Sequence, residues 1–405
     1  MFPLDQIEII AHSSPSKIVQ VVMDGLGGLP HSQTGMTELE TAHTPNLDAL
    51  AAGGTCGLLH PVAPGITTGS VPGHLALFGY DPVQNHVGRG VVEALGIDFA
   101  LQPGDVAARG NFCSIDDKGL LSDRRAGRIP TEESARLCQL LSSIDLSDIV
   151  PGTQVFVKPV REHRFALILR AEGLGDDVAD TDPQKEGLAP LPAVAGSSGS
   201  DRTAGLANSF VEAAHEILSS QIPANMVLLR GFSGLPHMPP MSQVFRLNPA
   251  AIAALPMYLG LAKVVGMTVF PAASSIEEEF RILADSFAQY DYFFLHLKPT
   301  DLAGEDGDFD RKVKVIEEVD SLIPHILELN PHVLAVTADH STPATYKSHS
   351  WHPVPLLLSS SWCRRDGVSA FSETQCLKGG LGHMASVQVM PLLLAHAGKL
   401  SKFGA

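Results

Sequence analysis

The chain has 405 residues, 44% of them hydrophobic, which is enough for one large core or two smaller ones, and its length favours two or three domains. Asp and Glu number 44 against 28 Lys and Arg, for a formal charge of −16, and no Lys/Arg-rich block interrupts that excess. We therefore expect neither nucleic acid nor an anionic membrane as a partner, whereas a small phosphorylated substrate stays open because local arginines or metal ions set the potential inside a site.

Short β-branched runs that end in polar clusters recur along the chain, with helical patterning between them. This arrangement predicts an α/β fold, in which helices cover both faces of a mostly parallel sheet. A long helix is expected at 311–329, where apolar residues repeat at helical spacing, and Pro324 should kink it. The predicted strands of the sheet are 18–23, 226–229, 292–297, 333–337 and 354–358.

The middle of the chain has a different texture. Short strands are expected at 154–157 and 165–170, among turns rich in Gly, Asp and Ser. We interpret 88–205 as an inserted, smaller α+β cap domain, and we assign 1–87 and 206–405 to the core.

Cysteine usage and apolar stretches bear on the compartment. The five cysteines are widely spaced and form no Cys-x-x-Cys pair, which is typical of a reducing compartment. The N-terminal residues lack a basic region followed by an apolar one, so no export signal is expected. The longest apolar stretch, 255–273, is interrupted by Gly, Lys and Pro, and predicts a buried helix leading into a strand rather than a membrane span. These features predict a cytoplasmic protein.

Three aspartates, Asp24, Asp301 and Asp339, each follow a predicted strand of the core. Ligands of open α/β sheets collect beyond the carboxyl ends of such strands, although any one of these acids alone is equally well explained as a cap of a helix or turn. His340 and His349 follow the last aspartate closely. Carboxylates and imidazoles together form the ligand set that a pair of divalent cations requires.

A candidate nucleophile, Ser70, lies in the segment 65–74 (GITTGSVPGH), directly before an apolar run. Pro72 at an early helical position indicates a helix N-terminus, where backbone N–H groups and the helix dipole favour a phosphate. A serine at this place is often only an N-cap. The alternative is a hydroxyl activated by a metal, with two cations about 3.5–4 Å apart holding the attacking and leaving oxygens.

The order of these features resembles the alkaline phosphatase superfamily: Asp-Gly-Leu-Gly after the first strand, a nucleophile at a helix start, Asp-x-x-x-x-Asp-Gly, Ala-Asp-His, and a last histidine before Pro-Val-Pro. The resemblance narrows to the archaeal-type, cofactor-independent phosphoglycerate mutases, and it implies a core of alkaline-phosphatase type. The motifs that carry it span nearly the whole chain: 44–50 (TPNLDAL), 74–82 (HLALFGYDP), 88–90 (GRG), 93–96 (EALG), 123–129 (DRRAGRI), 180–183 (DTDP), 337–343 (TADHSTP), 379–382 (GGLG) and 402–405 (KFGA).

The resemblance implies two divalent metal ions with separate ligand sets. The fourth residue after Asp301, normally histidine in the family, is Glu305 here, and Asp306 or Asp308 are alternatives. A carboxylate at this position favours Mg²⁺ or Mn²⁺, with Zn²⁺ or Co²⁺ as the other candidates. The implied ligands are Asp24, Ser70, Asp339 and His340 for one ion, and Asp301, Glu305 and His349 for the other.

The resemblance also points to polar residues of the cap and its flank as substrate-binding groups. Arginine's planar fork suits phosphate and carboxylate, and a phosphoglycerate offers both, although solvated surface arginines are common in loops. Four other histidines, His60, His86, His296 and His352, lack a matching partner acid and are interpreted as structural. The candidate substrate residues are Arg124, Arg125, Arg128, His163, Arg164, Asp180, Asp182 and Arg230.

The implied reaction is the interconversion of 3-phosphoglycerate and 2-phosphoglycerate, a step of glycolysis and gluconeogenesis, through a phosphoserine on Ser70. If water reached the phosphoserine first, the same core would release inorganic phosphate, so a metal-dependent phosphomonoesterase or phosphonate hydrolase is the alternative. A catalytically inactive binding protein is a third hypothesis, for which Glu305 is the only sequence reason.

Overall fold

The computed structural model describes residues 3–404, which divide into two compact units. The first unit comprises the residues up to His86, Met238–Leu255 and the residues from Val265 onward, and the second comprises Val87–His237 and Pro256–Val264. Within the described residues, the strands are β1 (Ile18–Met23), β2 (Thr55–His60), β3 (Asp105–Ile115), β4 (Leu121–Asp123), β5 (Gln154–Arg161), β6 (Arg164–Arg170), β7 (Met226–Gly234), β8 (Pro249–Ala253), β9 (Thr268–Val269), β10 (Tyr292–Leu297), β11 (Val333–Thr337), β12 (Val354–Ser360) and β13 (Gly382–Ala385).

Helices connect most of these strands. Short 3₁₀ turns add to them at Ala126–Arg128, Ser198–Ser200 and Ser386–Gln388. The α-helices are α1 (Leu4–Ile10), α2 (Glu38–Thr41), α3 (Pro45–Gly53), α4 (Ser70–Leu77), α5 (Arg89–Gly96), α6 (Thr131–Leu141), α7 (Asp201–Leu218), α8 (Met241–Val244), α9 (Pro256–Val264), α10 (Ile276–Ser286), α11 (Pro299–Asp306), α12 (Phe309–Glu328), α13 (Glu373–Cys376) and α14 (Val389–His396).

The first unit contains an eight-stranded sheet in the order β13-β2-β12-β11-β1-β10-β8-β9. Only β12 runs antiparallel to its neighbours among these described strands, so the predicted mostly parallel α/β sheet is confirmed. Strands β1, β10 and β11 have the predicted bounds. Their order β11-β1-β10 makes their carboxyl ends adjacent, which determines where the residues after them lie.

Local sequence explains these elements. All six residues of β1 are buried, as expected of a parallel strand covered on both faces, and its one polar residue, Gln20, accepts a hydrogen bond of 2.6 Å from the Tyr292 hydroxyl. Helix α12 begins after Asp308, whose side chain accepts a hydrogen bond from the Arg311 N–H, and it contains Pro324 as predicted. None of the helices between residues 3 and 404 has the length and apolarity that crossing a bilayer requires.

The second unit is built on an antiparallel sheet in the order β4-β3-β6-β5, with β7 paired to β3. Strands β5 and β6 form a hairpin that includes both short strands predicted in the middle of the chain. Helices α6 and α7 pack against this sheet through a buried apolar cluster in which Phe112, Phe165 and Phe210 are the largest fully buried side chains. The unit therefore has a core of its own.

Two predictions about chain organisation need correction. The run 226–229 was expected in the parallel sheet, but it lies in β7, which pairs antiparallel with β3. The boundary at 205 falls inside α7, and the second unit continues to His237 and takes in α9. A short apolar run does not specify its pairing partner, because strand pairing depends on residues more than 100 positions away, here Leu228 opposite Asn111.

Candidate active site

Three buried aspartates lie at the carboxyl ends of the adjacent strands β1, β10 and β11. Asp24 directly follows β1, Asp301 lies in the first turn of α11, and Asp339 follows β11 after one residue. Each is at most 1% exposed. Buried carboxylates so close together repel one another unless cations or hydrogen-bond donors compensate their charge.

His340 connects the first group of predicted ligands. Its Nε2 lies 3.4 Å from Asp24 Oδ1, 3.2 Å from Asp339 Oδ2 and 3.3 Å from Ser70 Oγ. Ligand atoms of Asp24, Asp339 and His340 all lie within 4.8 Å of one another. The four residues assigned by resemblance to one ion are thus brought together around a single point.

A second group lies beside the first. His349 Nε2 is 3.6 Å from Asp301 Oδ1 and 3.8 Å from Glu305 Oε1, and the rings of His340 and His349 stack with centroids 3.7 Å apart. Asp301, His340 and His349 offer ligand atoms within 4.8 Å of one another. Glu305 is the most exposed member, with 52% of its side chain accessible.

The two alternatives to Glu305 have other contacts. Asp306 forms an ion pair with Arg311, with 2.7 Å between Oδ2 and Nη2. Asp308 caps α12 through the Arg311 backbone N–H. These contacts leave Glu305 as the acid of this segment nearest His349.

Ser70 is the first residue of α4, and the N-cap position before it is Gly69. The interpretation of Ser70 as an N-cap is therefore not what the structure has. A Cβ at Gly73 would lie 2.4 Å from the Asp339 carbonyl oxygen, so glycine there is what lets the first turn of α4 approach the aspartate loop. The helix start places the Ser70 hydroxyl beside the buried acids.

The structure adds two histidines that the sequence interpretation missed. His296 Nε2 lies 2.8 Å from Asp24 Oδ2, so the interpretation that His296 lacks a partner acid was wrong. His74 Nδ1 lies 3.1 Å from Asp339 Oδ2 and 2.7 Å from the Ser70 carbonyl oxygen. The sequence signal for His74 is its position one helical turn after Ser70, whereas His296 comes near Asp24 only through strand pairing, opposite Val22 of β1.

Lys298 is a third missed residue. Its ammonium donates to Asp301 Oδ2 at 2.5 Å and to Asp24 Oδ2 at 3.2 Å, so one cation bridges acids from both groups. Its position three residues before Asp301, at the end of β10, is the sequence feature that predicts such a contact.

The electrostatics favour an ionised Asp24, an ionised Asp339 and a neutral His340. Burial raises the pKa of Asp24, but Lys298 and the His296 hydrogen bond outweigh it and hold that pKa well below its ordinary value. Burial and Asp24 raise the pKa of Asp339, yet His340 and a second imidazole bring it below the ordinary value. Burial lowers the pKa of His340. These are the protonation states that bind metal.

A divalent cation fits this donor set. Asp24 Oδ1 is buried and accepts no hydrogen bond in the described part of the chain, although His340 Nε2 is 3.4 Å away. A buried carboxylate oxygen in this state is a strong ligand. The Asp/His clusters can therefore bind metal ions.

In the second unit, four of the predicted substrate residues form one ion-pair network. Arg124 makes a two-point contact with Asp182, with 3.0 Å from Nε and 2.6 Å from Nη2. Arg230 lies 3.5 Å from carboxylate oxygens of both Asp180 and Asp182. Because these residues neutralise one another's charge, their ion pairs stabilise the local structure as well as offering polar groups to a ligand.

The other predicted residues belong to a basic cluster. Asp123 accepts hydrogen bonds from the backbone N–H groups of Arg125 and Gly127, which fixes the loop from which Arg125 and Arg128 are exposed. Burial, together with the charges of the neighbouring arginines, lowers the pKa of His163 to about 3. Those arginines are Arg164, Arg109, Arg125 and Arg128.

Arg109 is the member of this cluster that sequence interpretation missed. It is 7% exposed, and burial followed by the charge of Arg89 lowers its pKa to about 9. Its Nε is 3.8 Å from Glu93, the one acid in contact with it among the described residues. A buried arginine with so little compensation indicates an anion-binding surface.

Comparisons with known proteins agree on one family. The model of a family described as 2,3-bisphosphoglycerate-independent phosphoglycerate mutase matches residues 51–225. A protein named probable 2,3-bisphosphoglycerate-independent phosphoglycerate mutase from Thermus thermophilus is 50% identical, with all of both chains covered. The solved cofactor-independent phosphoglycerate mutase from Thermoplasma acidophilum is 31% identical at a TM-score of 0.70, covering 95% of this chain and 100% of its own. A Pyrococcus horikoshii protein of solved structure is 28% identical at a TM-score of 0.83, covering 97% of this chain and 100% of its own.

Proposed function

This chain belongs to the 2,3-bisphosphoglycerate-independent phosphoglycerate mutases, and we propose on that premise that Ser70 is its nucleophile and that two divalent metal ions bind around it. Enzymes of this family interconvert 3-phosphoglycerate and 2-phosphoglycerate, so the substrate is a small phosphorylated acid. One observation carries the proposal about Ser70: its Oγ lies 3.3 Å from His340 Nε2, at a helix start beside buried acids.

The proposed metal ligands form two sets that share one edge of the sheet. Bound divalent ions would neutralise the phosphate and lower the pKa of the serine hydroxyl. The carboxylates favour Mg²⁺ or Mn²⁺, with Zn²⁺ or Co²⁺ as alternatives. We assign Asp24, Ser70, Asp339 and His340 to the first metal site and Asp301, Glu305 and His349 to the second.

The reaction then proceeds in two symmetrical halves. The Ser70 hydroxyl loses its proton and its oxygen forms a bond to phosphorus as the ester bond to glycerate breaks, and the departing glycerate oxygen gains a proton. In the second half, the other hydroxyl of glycerate takes the phosphoryl group and Ser70 is regenerated. Nearby, Lys298 keeps an ammonium against Asp24 and Asp301, which limits the negative charge that the incoming phosphate meets.

Glycerate must stay bound while phosphate is on the serine. We assign the carboxylate of the substrate to the basic cluster of the second unit, and the arginines that lower the pKa of His163 and of Arg109 support this assignment. If glycerate escaped, water would yield inorganic phosphate, so phosphomonoesterase activity is the second candidate. The proposed substrate-binding residues are Arg124, Arg125, Arg128, His163, Arg164, Asp180, Asp182 and Arg230, with Arg109 added from the structure.

The compartment and remaining partners follow from composition. The five cysteines are free thiols, which supports the cytoplasm as the proposed location. The excess of acidic residues supports a protein that binds no nucleic acid.

The test removes and restores metal, then removes the nucleophile. Chelated protein should lose turnover of 3-phosphoglycerate, and added Mn²⁺ or Mg²⁺ should restore it, with 2-phosphoglycerate in large excess over free phosphate. Ser70→Ala should lower turnover by more than about 1,000-fold. Thr67→Ala, which removes an exposed hydroxyl from the same loop, should match the parent. Turnover within tenfold of the parent in Ser70→Ala would refute the nucleophile, and predominant free phosphate would favour the phosphatase.

A further inference from the structure

Lys312 is completely buried in α12, and its ammonium donates hydrogen bonds to backbone carbonyl groups. Its Nζ donates to the carbonyl oxygens of Gly25 at 2.9 Å, Gly27 at 3.3 Å and Thr342 at 2.9 Å. The first two carbonyls lie in the loop that begins at Asp24, and the third lies in the loop that follows β11. One ammonium thus ties together the two loops that carry the first metal site.

Those carbonyls are linked closely to the proposed ligands. The Gly25 carbonyl also accepts the Thr342 N–H at 3.1 Å, and the Gly25 N–H donates to Asp339 Oδ1 at 3.2 Å. The Thr342 hydroxyl donates to Asp301 Oδ1 at 2.6 Å and lies 3.0 Å from His340 Nδ1. A shift of the Thr342 backbone would therefore move groups that hold ligands of both sites.

The two loops pack too closely for either of them to move without displacing the other. Gly25 has a φ of +67°, and a Cβ there would lie 2.8 Å from Asp301 Oδ1. A Cβ at Gly27 would lie 1.9 Å from Ser341 Oγ. Because the backbone at these glycines leaves no space even for a Cβ atom, the two loops pack in one arrangement. The Lys312 ammonium holds that arrangement from the side of α12.

Burial lowers the pKa of Lys312, and the nearby carboxylates of Glu38 and Glu373 offset part of this effect. Glu38 Oε1 lies 3.9 Å from Nζ and accepts the Ala344 N–H at 2.7 Å, so it too contacts the loop after β11. Glu373 accepts the Gly28 N–H at 2.9 Å on the other loop. Burying an ammonium has a desolvation cost that packing alone does not offset. Hydrogen bonds that all go to two ligand-bearing loops therefore indicate a role in holding those loops.

We propose that Lys312 is a positioning residue: it clamps the loops after β1 and β11, and the affinity of both proposed metal sites for divalent ions depends on its three hydrogen bonds. The inference rests on the proposed metal centre. It adds a residue that neither touches substrate nor coordinates an ion.

The test compares Lys312→Met with a matched variant, Lys399→Met. Methionine keeps most of the lysine stem and removes all three donors. Lys399 is also completely buried, and its Nζ donates to the Ser14 carbonyl at 2.8 Å and to Asp291 at 3.1 Å, near the residues that precede β1 and β10 and thus at the opposite end of the sheet. Both variants lose a buried ammonium from the first unit, so a general loss of stability affects both.

Mn²⁺ dissociation constants are measured for each protein by electron paramagnetic resonance titration. Lys312→Met should bind Mn²⁺ about 10–100-fold more weakly than wild type, as outer-shell changes usually do, and Lys399→Met should stay within about threefold. At saturating Mn²⁺, kcat of Lys312→Met should recover to within about fivefold of wild type, because the variant loses affinity and not a reacting group.

Each outcome has one meaning. Wild-type constants in Lys312→Met, or equal weakening in Lys399→Met, would overturn the inference. A wild-type protein that binds no Mn²⁺ would refute the metal centre itself. If Lys312→Met does not fold, the double variant Lys312→Met with Glu38→Gln replaces it, because this variant leaves no unpaired charge of the Lys312–Glu38 ion pair. The double variant should bind Mn²⁺ at least about tenfold more weakly than Glu38→Gln alone. If the double variant folds only with metal, the Mn²⁺ concentration giving half-maximal near-UV circular dichroism replaces the dissociation constant in the same comparison.

Discussion

At the scale of single residues, Glu305 is where this chain departs from the motif it otherwise follows. Its carboxylate is 3.8 Å from His349 Nε2, within reach of a shared ion, but it is the exposed member of its group. An exposed carboxylate keeps more hydration than a buried imidazole, so the second site should hold its ion less tightly than the first and should prefer hard cations.

Substitution of Glu305 tests this assignment. Glu305→Ala should weaken Mn²⁺ binding at one site by at least about tenfold and leave the other site unchanged. Glu305→His should keep activity and shift the preferred ion toward Zn²⁺ or Co²⁺, because imidazole suits those ions better. Asp306→Ala, which removes only an exposed ion pair with Arg311, is the control. The assignment fails if Glu305→Ala keeps both metals at parental affinity, or if Asp308→Ala is the variant that loses one.

The site residues that lie just beyond the ends of strands were predictable from the sequence. Asp24, Asp301 and Asp339 follow strands whose carboxyl ends are adjacent, and the structure brings them together. His296 was not predicted as a member because its partner acid follows another strand, and Lys298 was overlooked although it lies three residues before Asp301. Arg109 was missed because it lies inside strand β3, where the sequence pattern gives no sign that a charged side chain is buried.

At the scale of elements, helix α10 buries an acid that the sequence pattern would leave in water. Glu279 is 1% exposed although α10 starts with three consecutive glutamates, and burial raises its pKa to about 9 against a partly opposing hydrogen bond from the Ala254 N–H. The folded-state pKa therefore lies above the unfolded value near 4.5. Between these values the unfolded chain releases a proton that the folded chain keeps, so stability should fall as pH rises.

Glu279→Gln should remove this pH dependence. The neutral amide keeps the size of the acid, so the variant should exceed wild type in unfolding free energy by on the order of 3 kcal/mol at pH 7, from about 1.4 kcal/mol per pH unit, and should gain nothing at pH 4.5 or below. Urea titrations at pH 4.5, 6, 7 and 8 measure the difference. The exposed neighbour change Glu277→Gln should leave the slope between pH 5.5 and 8 as it is in wild type. Parallel pH profiles for wild type and Glu279→Gln would show that Glu279 is ionised in the folded protein.

The strands that are buried on both faces were predictable, because nearly all of their residues are apolar. Strands β1, β10 and β11 are apolar runs with at most one polar residue each, and their predicted bounds agree with the structure. The run in β7 has the same composition, yet it joins an antiparallel sheet, because its pairing with β3 depends on residues far away in sequence. Composition identifies such a strand but not its sheet.

At the scale of the whole molecule, the cluster of acids and imidazoles and the basic cluster lie in different units. The first unit holds the acids, imidazoles and Ser70, and the second holds the basic cluster around Arg109 and His163. The second unit begins at Val87, beside the change in sequence texture near residue 88. Its end was not predictable from texture, because α7 and β7 resemble elements of the first unit and only their packing assigns them to the second.

The central claim is that phosphate passes through Ser70, and phosphopeptide mapping after rapid quenching tests it most directly. Wild-type protein with Mn²⁺ is mixed with 3-phosphoglycerate, quenched in acid within a turnover, digested and analysed by mass spectrometry. We predict phosphate on the peptide that contains Ser70, formed at least as fast as 2-phosphoglycerate and absent from chelated protein. Phosphate on another residue, or steady formation of 2-phosphoglycerate with no phosphorylated peptide, would contradict the account.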